Sequence, residues 1–266
     1  MTYITVNNLT VYYEQNGTGE NCLILNGSGG DLRFRPNVMD TPLSKSFRVT
    51  SYDQRGLGQT SKPDGAYKMS DYADDAAALI TELSLGPAFV LGISFGGMVG
   101  QELAIRHPDC LKALALFCTS PGGAGGSSYP LHELVQLNPD ERARTAIKLN
   151  DNRITDDWIS NHPEQYEALK VRANRDTYNH EENYLQGHDK QLEARAHHDC
   201  WDRLDQIKCP VFLGGGTYDD IAKPSSMKNM ASRIHNAQLT FYNGGHLFMT
   251  QNPSAFSDVA DFFRTQ

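Results

Sequence analysis

Apolar residues fall in short, dense runs along the first part of this chain, each followed by a polar or glycine-rich break and, after position 30, by longer amphipathic stretches. Residues 2–6 and 10–15 alternate or cluster β-formers, Asn16-Gly17-Thr18-Gly19 is a turn, and 22–25 is again apolar, so three short strands are predicted. A helix from about 36 to 44 and a strand at 47–52 follow. Residues 70–83, with Tyr72, Leu79, Ile80 and Leu83 along one face, read as a helix capped by Ser70 or Asp71. A strand at 88–91, a helix to about His107 before Pro108, and a strand at 111–117 continue the rhythm. Near-continuous apolar strands alternating with helices predict an α/β fold: a mostly parallel sheet with helices on both faces.

From about Thr119 the pattern changes. Pro121-Gly122-Gly123-Ala124-Gly125-Gly126-Ser127-Ser128 reads as a flexible stretch, and the segment to about Arg203 is polar, charged and helical in period, without a convincing strand. Asn138-Pro139-Asp140-Glu141 is a helix start, with a cap, a proline in the first turn and acids beside it. The strand and helix rhythm resumes with a strand at 210–213, a helix near 225–233, a strand at 238–242 and a closing helix from about 253 to 263. The expected organisation is therefore one core, 1–118 and 204–266, interrupted by a helical lid at 119–203.

Composition narrows the functions available. With 266 residues and a formal charge of −8, from 24 Lys+Arg against 32 Asp+Glu, the chain is a poor match for nucleic acid or an anionic membrane, and neither is expected as a partner. Its N-terminus lacks the regions of a signal peptide and no apolar run approaches the ~18 residues of a membrane span, so a soluble cytoplasmic protein is expected. The five cysteines, at 22, 110, 118, 200 and 209, form no C-x-x-C pair and are expected to be reduced thiols.

The chemistry centres on Gly92-Ile93-Ser94-Phe95-Gly96. A G-x-S-x-G spacing between a strand and a helix suits a serine held on a tight turn, with its hydroxyl exposed and the following helix N-terminus aimed at developing negative charge. A serine hydroxyl needs a base, and the base needs an acid to fix its tautomer. Downstream, Asp219 and Asp220 follow one strand, and His246 follows the last strand on a glycine turn. Ser94, Asp219 and His246 are the candidate nucleophile, acid and base; Asp219 is preferred to Asp220 because Ile221 anchors the loop into the core. Asn26-Gly27-Ser28-Gly29-Gly30 lacks the endings of a dinucleotide or phosphate loop. It reads better as the second wall of an oxyanion hole, the Ser28 N–H joining that of Phe95. His197-His198-Asp199-Cys200 has metal-ligand residue types without ligand spacing, so neither metal nor cofactor is expected. Trp158, Tyr166, Leu169, Ala173, Tyr178, Tyr184 and Trp201 are assigned to packing or a pocket wall.

Taken together, these residues resemble the α/β-hydrolase superfamily everywhere outside 119–203. Gly92-Ile93-Ser94-Phe95-Gly96-Gly97 is similar to its nucleophile elbow, and Asp53-Gln54-Arg55-Gly56-Leu57-Gly58 to its D-x-R-G-x-G loop, whose Asp and Arg are usually structural. Ala104-Ile105-Arg106-His107-Pro108 and Gly245-His246 are also similar. Two positions depart: Asn26-Gly27 stands where many members carry His-Gly, and Lys223 stands where the acid loop usually has proline, which keeps Asp220 as the alternative acid. Asn26 with Asp31-Leu32-Arg33 and the elbow resembles 3-oxoadipate enol-lactonases and related carboxylesterases. The resemblance implies hydrolysis of a small-molecule carboxylic ester or lactone without a cofactor. Hydrolysis of a carbon–carbon bond in β-diketone-like substrates, or ligand reception on a hydrolase scaffold, are the alternatives.

Overall fold

A computed structural model describes residues 2–174 and 177–266. Its eight strands are β1 Thr2–Val6, β2 Leu9–Asn16, β3 Asn21–Leu25, β4 Arg48–Tyr52, β5 Ala88–Ile93, β6 Leu111–Phe117, β7 Val211–Gly216 and β8 Ala237–Tyr242. They form one sheet in the order β1-β2-β4-β3-β5-β6-β7-β8. The β1/β2 and β2/β4 pairs are antiparallel and all others parallel. This is the mostly parallel α/β sheet that the apolar rhythm predicts.

The central strand shows why its sequence is apolar without a break. Every residue of β5 is buried, yet successive side chains still go to opposite faces. Leu23, Leu25, Val90, Leu114 and Leu116 join one core cluster, whereas Cys22, Ile24, Phe89, Leu91 and Ala115 join the other. Helices α1 (Met69–Glu82) and α2 (Phe95–Arg106) cover the first face through Tyr72, Leu79, Val99 and Leu103. The closing helix Ser254–Arg264 covers the second through Phe256, Val259 and Phe263. Phe263 is fully buried and stacks on Phe89 at 4.7 Å between ring centroids, a burial of the kind that contributes about 2–3 kcal/mol.

Two local expectations are corrected. In place of a helix over 36–44 there are two 3-10 turns, Val38–Asp40 and Pro42–Lys45. The break is at Thr41, whose extended backbone (φ −74°, ψ 152°) is what the following proline imposes on its predecessor. Helix α1 starts at Met69, and neither Ser70 nor Asp71 is its cap residue; instead Asp71 reaches back from the first turn to accept the Lys68 N–H at 2.9 Å.

Between β6 and β7 the described chain forms helices α3 (Pro139–Asn150), α4 (Asp156–Asn161), α5 (Pro163–Ala173) and α6 (Tyr184–Ala196). The glycine stretch before them is tied down: Gly122 bridges to Asp199, and the Gly125 carbonyl accepts from Asn229 Nδ2 at 3.0 Å. Beyond β7 come α7 (Pro224–Arg233), the short α8 (Phe248–Gln251) and the closing helix, α9. All five cysteines are free thiols. Among the described residues no helix is long and apolar enough to cross a membrane.

Candidate active site

Ser94 occupies the single residue between β5 and α2, at φ 55° and ψ −113°, a conformation that L-residues adopt only under constraint. The constraint is visible on both sides. The Ser94 N–H donates to the Phe117 carbonyl at 2.8 Å, and the Ser94 carbonyl accepts from Gly97 and Met98 as α2 begins. A Cβ at Gly96 would collide with the Leu25 and Asn26 carbonyls, and one at Gly92 with the backbone of Gly96 and Gly97. The G-x-S-x-G spacing is therefore a steric requirement of this turn.

The parallel strands end on the same side of the sheet, which brings three distant residues together. His246, on the glycine turn after β8, sets Nε2 at 2.9 Å from Ser94 Oγ. Its Nδ1 lies 2.7 Å from Asp219 Oδ2. Asp219 is fully buried in the turn after β7, and its Oδ1 accepts the Ile221 and Ala222 N–H groups at 2.8 Å each. A carboxylate that only accepts fixes the ring hydrogen on Nδ1, leaving Nε2 free to take the serine proton. The alternative acid, Asp220, is half-buried; its N–H donates to the Leu149 carbonyl, and it is Asp219 that holds the His246 ring.

Opposite the serine, the loop after β3 closes in. A Cβ on Gly27 would lie 3.5 Å from Ser94 Cβ, so Ser28 follows directly at the elbow. Among the described residues, neither the Ser28 nor the Phe95 N–H donates to a protein acceptor, and the Phe95 N–H belongs to the first residue of α2, where helices leave donors unpaired. The loop is braced by side chains: Asn26 Nδ2 donates to Ser51 Oγ at 3.1 Å, and Gln54 Nε2 to the Asn26 carbonyl at 2.8 Å. Asp53 accepts the Leu32 N–H at 2.7 Å and the Gln59 N–H at 2.8 Å. Burial pushes the Asp53 carboxyl up to about 7, against the pull of those two donors. Arg55 grips Asp75 through Nε at 2.6 Å and Nη2 at 2.9 Å.

Two contacts have no counterpart in the motifs. Gln191 Oε1, from α6, accepts the Gly29 N–H at 2.8 Å, tying the inserted helices to the Ser28 loop. The Asn150 carbonyl, at the end of α3, accepts the His246 N–H. Both residues lie in the polar helical stretch, where no spacing distinguishes them from solvated positions. Of the aromatic residues there, Trp158 stacks on His162, Tyr178 packs on Phe34 beneath the Arg33 guanidinium, and Trp201 lies under Arg233. Among the described residues no group of three or more His, Cys, Asp and Glu is arranged to hold a metal.

The chain is 25% identical over 216 residues to 3-oxoadipate enol-lactonase 2 of Acinetobacter baylyi, covering 81% of this chain and 78% of that protein. The crystal structure of an enol-lactonase from Burkholderia xenovorans superposes with a TM-score of 0.79 at 24% identity, covering 100% of both chains. A meta-cleavage product hydrolase from Pseudomonas fluorescens superposes with a TM-score of 0.78 at 18% identity, covering 100% of this chain and 98% of that one. The family model described as the alpha/beta hydrolase fold matches residues 23–253. The chain belongs to the α/β-hydrolase superfamily.

Proposed function

We propose that this protein is a serine hydrolase that cleaves a small carboxylic ester or lactone through an acyl-enzyme. The observation that carries the reading is the continuous chain from Ser94 Oγ through the His246 ring to Asp219, at 2.9 Å and 2.7 Å. Ser94 Oγ attacks the carbonyl carbon while its proton passes to His246 Nε2. The imidazolium so formed is stabilised by Asp219 across Nδ1. The negative charge on the carbonyl oxygen faces the Phe95 and Ser28 N–H groups, each a donor worth about 3 kcal/mol to such an intermediate. Collapse breaks the bond to the leaving oxygen, which takes the proton from His246. In a lactone that oxygen stays attached to the acyl group. Water then repeats the sequence with His246 again as base, and frees Ser94.

The enol-lactonase similarity supports an ester or lactone as the bond cleaved, and residues 119–203, through Gln191 on the Ser28 loop, are proposed as the lid over it. The test is labelling by a fluorophosphonate together with a screen of short acyl esters, lactones and β-diketones with the products identified. Wild-type protein should be labelled at Ser94 and release acid and alcohol, and Ser94→Ala should do neither. Absence of labelling in folded protein with no ester turnover sinks the reading; cleavage of β-diketones alone replaces it with carbon–carbon hydrolysis.

A further inference from the structure

Among the described residues, Arg195 is a buried arginine without an ion pair. Arg195, in the last turn of α6, is only 4% exposed. Its Nη1 donates to the Tyr129 carbonyl at 2.7 Å, but Nε and Nη2 are buried without a protein partner. Three partly buried arginines are treated differently: Arg33 holds Asp31 and Glu181, Arg55 holds Asp75, and Arg203 holds Glu102. Among the described residues no carboxylate lies within ion-pair distance of Arg195. A guanidinium kept out of water without an anion is destabilising, and its retention here asks for a ligand.

The guanidinium lines a cavity of about 230 Å³ together with Met98, Ser120, His132 and His198. Ser120 Oγ and His132 Nδ1 are also buried without protein partners. The cavity lies on the Ser94 side of the molecule: Met98, one helical turn beyond Ser94, lines it and donates its N–H to the Ser94 carbonyl at 3.2 Å, and the Asp219 charge acts on Arg195. The free edge, Nε with Nη2, is the edge with which Arg55 grips the Asp75 carboxylate, a geometry suited to planar two-oxygen anions. Burial lowers Arg195 to about 10 while the Asp219 charge acts in the opposite sense, so it remains a cation at neutral pH. Burial holds His198 down to about 4, so that ring is neutral there. One fixed positive charge matches a monoanion better than a phosphate dianion.

We propose that Arg195, with Ser120 and His132, forms a subsite for a free carboxylate carried by the substrate, so that the preferred esters or lactones are anionic ones. The subsite rests on the hydrolase reading for its role in turnover, although not for binding. Aryl monoesters of succinate, glutarate and adipate are therefore compared with neutral aryl alkanoates of matched length. Wild-type kcat/KM should favour the best-fitting anionic ester at least about tenfold. Arg195→Gln should reduce that preference about 10- to 100-fold, chiefly through KM, as expected for loss of a charged hydrogen bond. Arg195→Lys should restore part of it, because an ammonium keeps the charge without the fork.

Binding is read separately by calorimetry on Ser94→Ala with succinate, glutarate, adipate or inorganic phosphate. Dicarboxylate binding that disappears with Arg195→Gln, in a protein that cleaves no ester, retains the subsite and removes the hydrolase reading. Turnover of esters without preference for the anionic series, with no dicarboxylate bound, overturns the subsite and leaves the hydrolase reading standing. Phosphate binding more tightly than every dicarboxylate overturns it as well. The wild-type comparison decides the matter even if Arg195→Gln fails to fold.

Discussion

Asp219→Asn isolates the acid's role, because the loop itself decides how the new amide must sit. In the wild type, Oδ1 accepts two buried N–H groups, from Ile221 and Ala222, while Oδ2 faces His246 Nδ1. An asparagine that keeps its oxygen on the two loop donors turns its NH2 toward Nδ1. That nitrogen must then accept, the ring hydrogen moves to Nε2, and Ser94 Oγ loses its base. Removal of a general base costs about 10²- to 10⁴-fold and a wrong tautomer about 10⁴-fold. The expected loss in kcat/KM is therefore about 10³- to 10⁴-fold, or about 4–5.5 kcal/mol in the barrier, with the melting temperature little changed. The opposite rotamer would preserve the tautomer but strip both loop N–H groups of their acceptor, at about 1–3 kcal/mol each, and would appear as a lowered melting temperature. The assay is the fluorophosphonate inactivation rate and ester kcat/KM, with calorimetric melting on the same samples. Asp220→Asn, whose backbone contact to Leu149 survives, should stay within about threefold of wild type. Activity of Asp219→Asn within tenfold of wild type at an unchanged melting temperature refutes the assignment, as does a larger loss in Asp220→Asn.

The remaining expectations concern stability. Relief of the Ser94 backbone strain, about 1–3 kcal/mol, exceeds the chain entropy that glycine adds, about 0.5–1 kcal/mol. Ser94→Gly should therefore unfold at higher urea than Ser94→Ala by an amount equal to about 1–2 kcal/mol; identical midpoints would show that the turn is unstrained. Arg55→Ala leaves the Asp75 carboxylate, 2% exposed, without its ion pair and should cost about 3 kcal/mol in urea unfolding. The exposed Asp74–Arg106 pair gives a contrast, with Arg106→Ala costing under about 1 kcal/mol. His198 gives a pH signature, since its folded value of about 4 lies below its ordinary 6.5. Between those values the unfolded chain binds the extra proton, so stability is complete above pH 6.5 and is lost as pH falls through 4. That difference amounts to about 3 kcal/mol, and His198→Gln should flatten the acid limb of a melting-temperature profile; an unchanged limb counts against the buried neutral ring.

The parts of this molecule that sequence reveals are those where backbone geometry admits few residue types. Gly92 and Gly96 flank Ser94 because any side chain there meets a carbonyl or the elbow's own backbone, and such a requirement leaves a local, readable spacing. The Thr41-Pro42 break is equally local, since the proline itself imposes the extended backbone on Thr41 that divides the expected helix into two turns. Asp219 and Asp220 are narrowed to a pair by position after β7, and Ile221 favours the first, but which carboxylate reaches His246 is seen only where the two turns meet. The inserted helices lie at the far end of this scale. Gln191 and Gly29 are 162 positions apart, and the Arg195 charge looks like any solvated residue until its burial is known. The same division separates reaction from substrate. The serine, its base and its acid are held by strand ends and tight turns, which constrain sequence strongly. The proposed anion subsite, by contrast, draws on side chains from α6 and the segment before α3, which constrain sequence weakly. If Arg195 reads a substrate carboxylate as proposed, a single substitution there should change selectivity without disturbing the elbow, and it is at such positions that the identity of the substrate has to be sought.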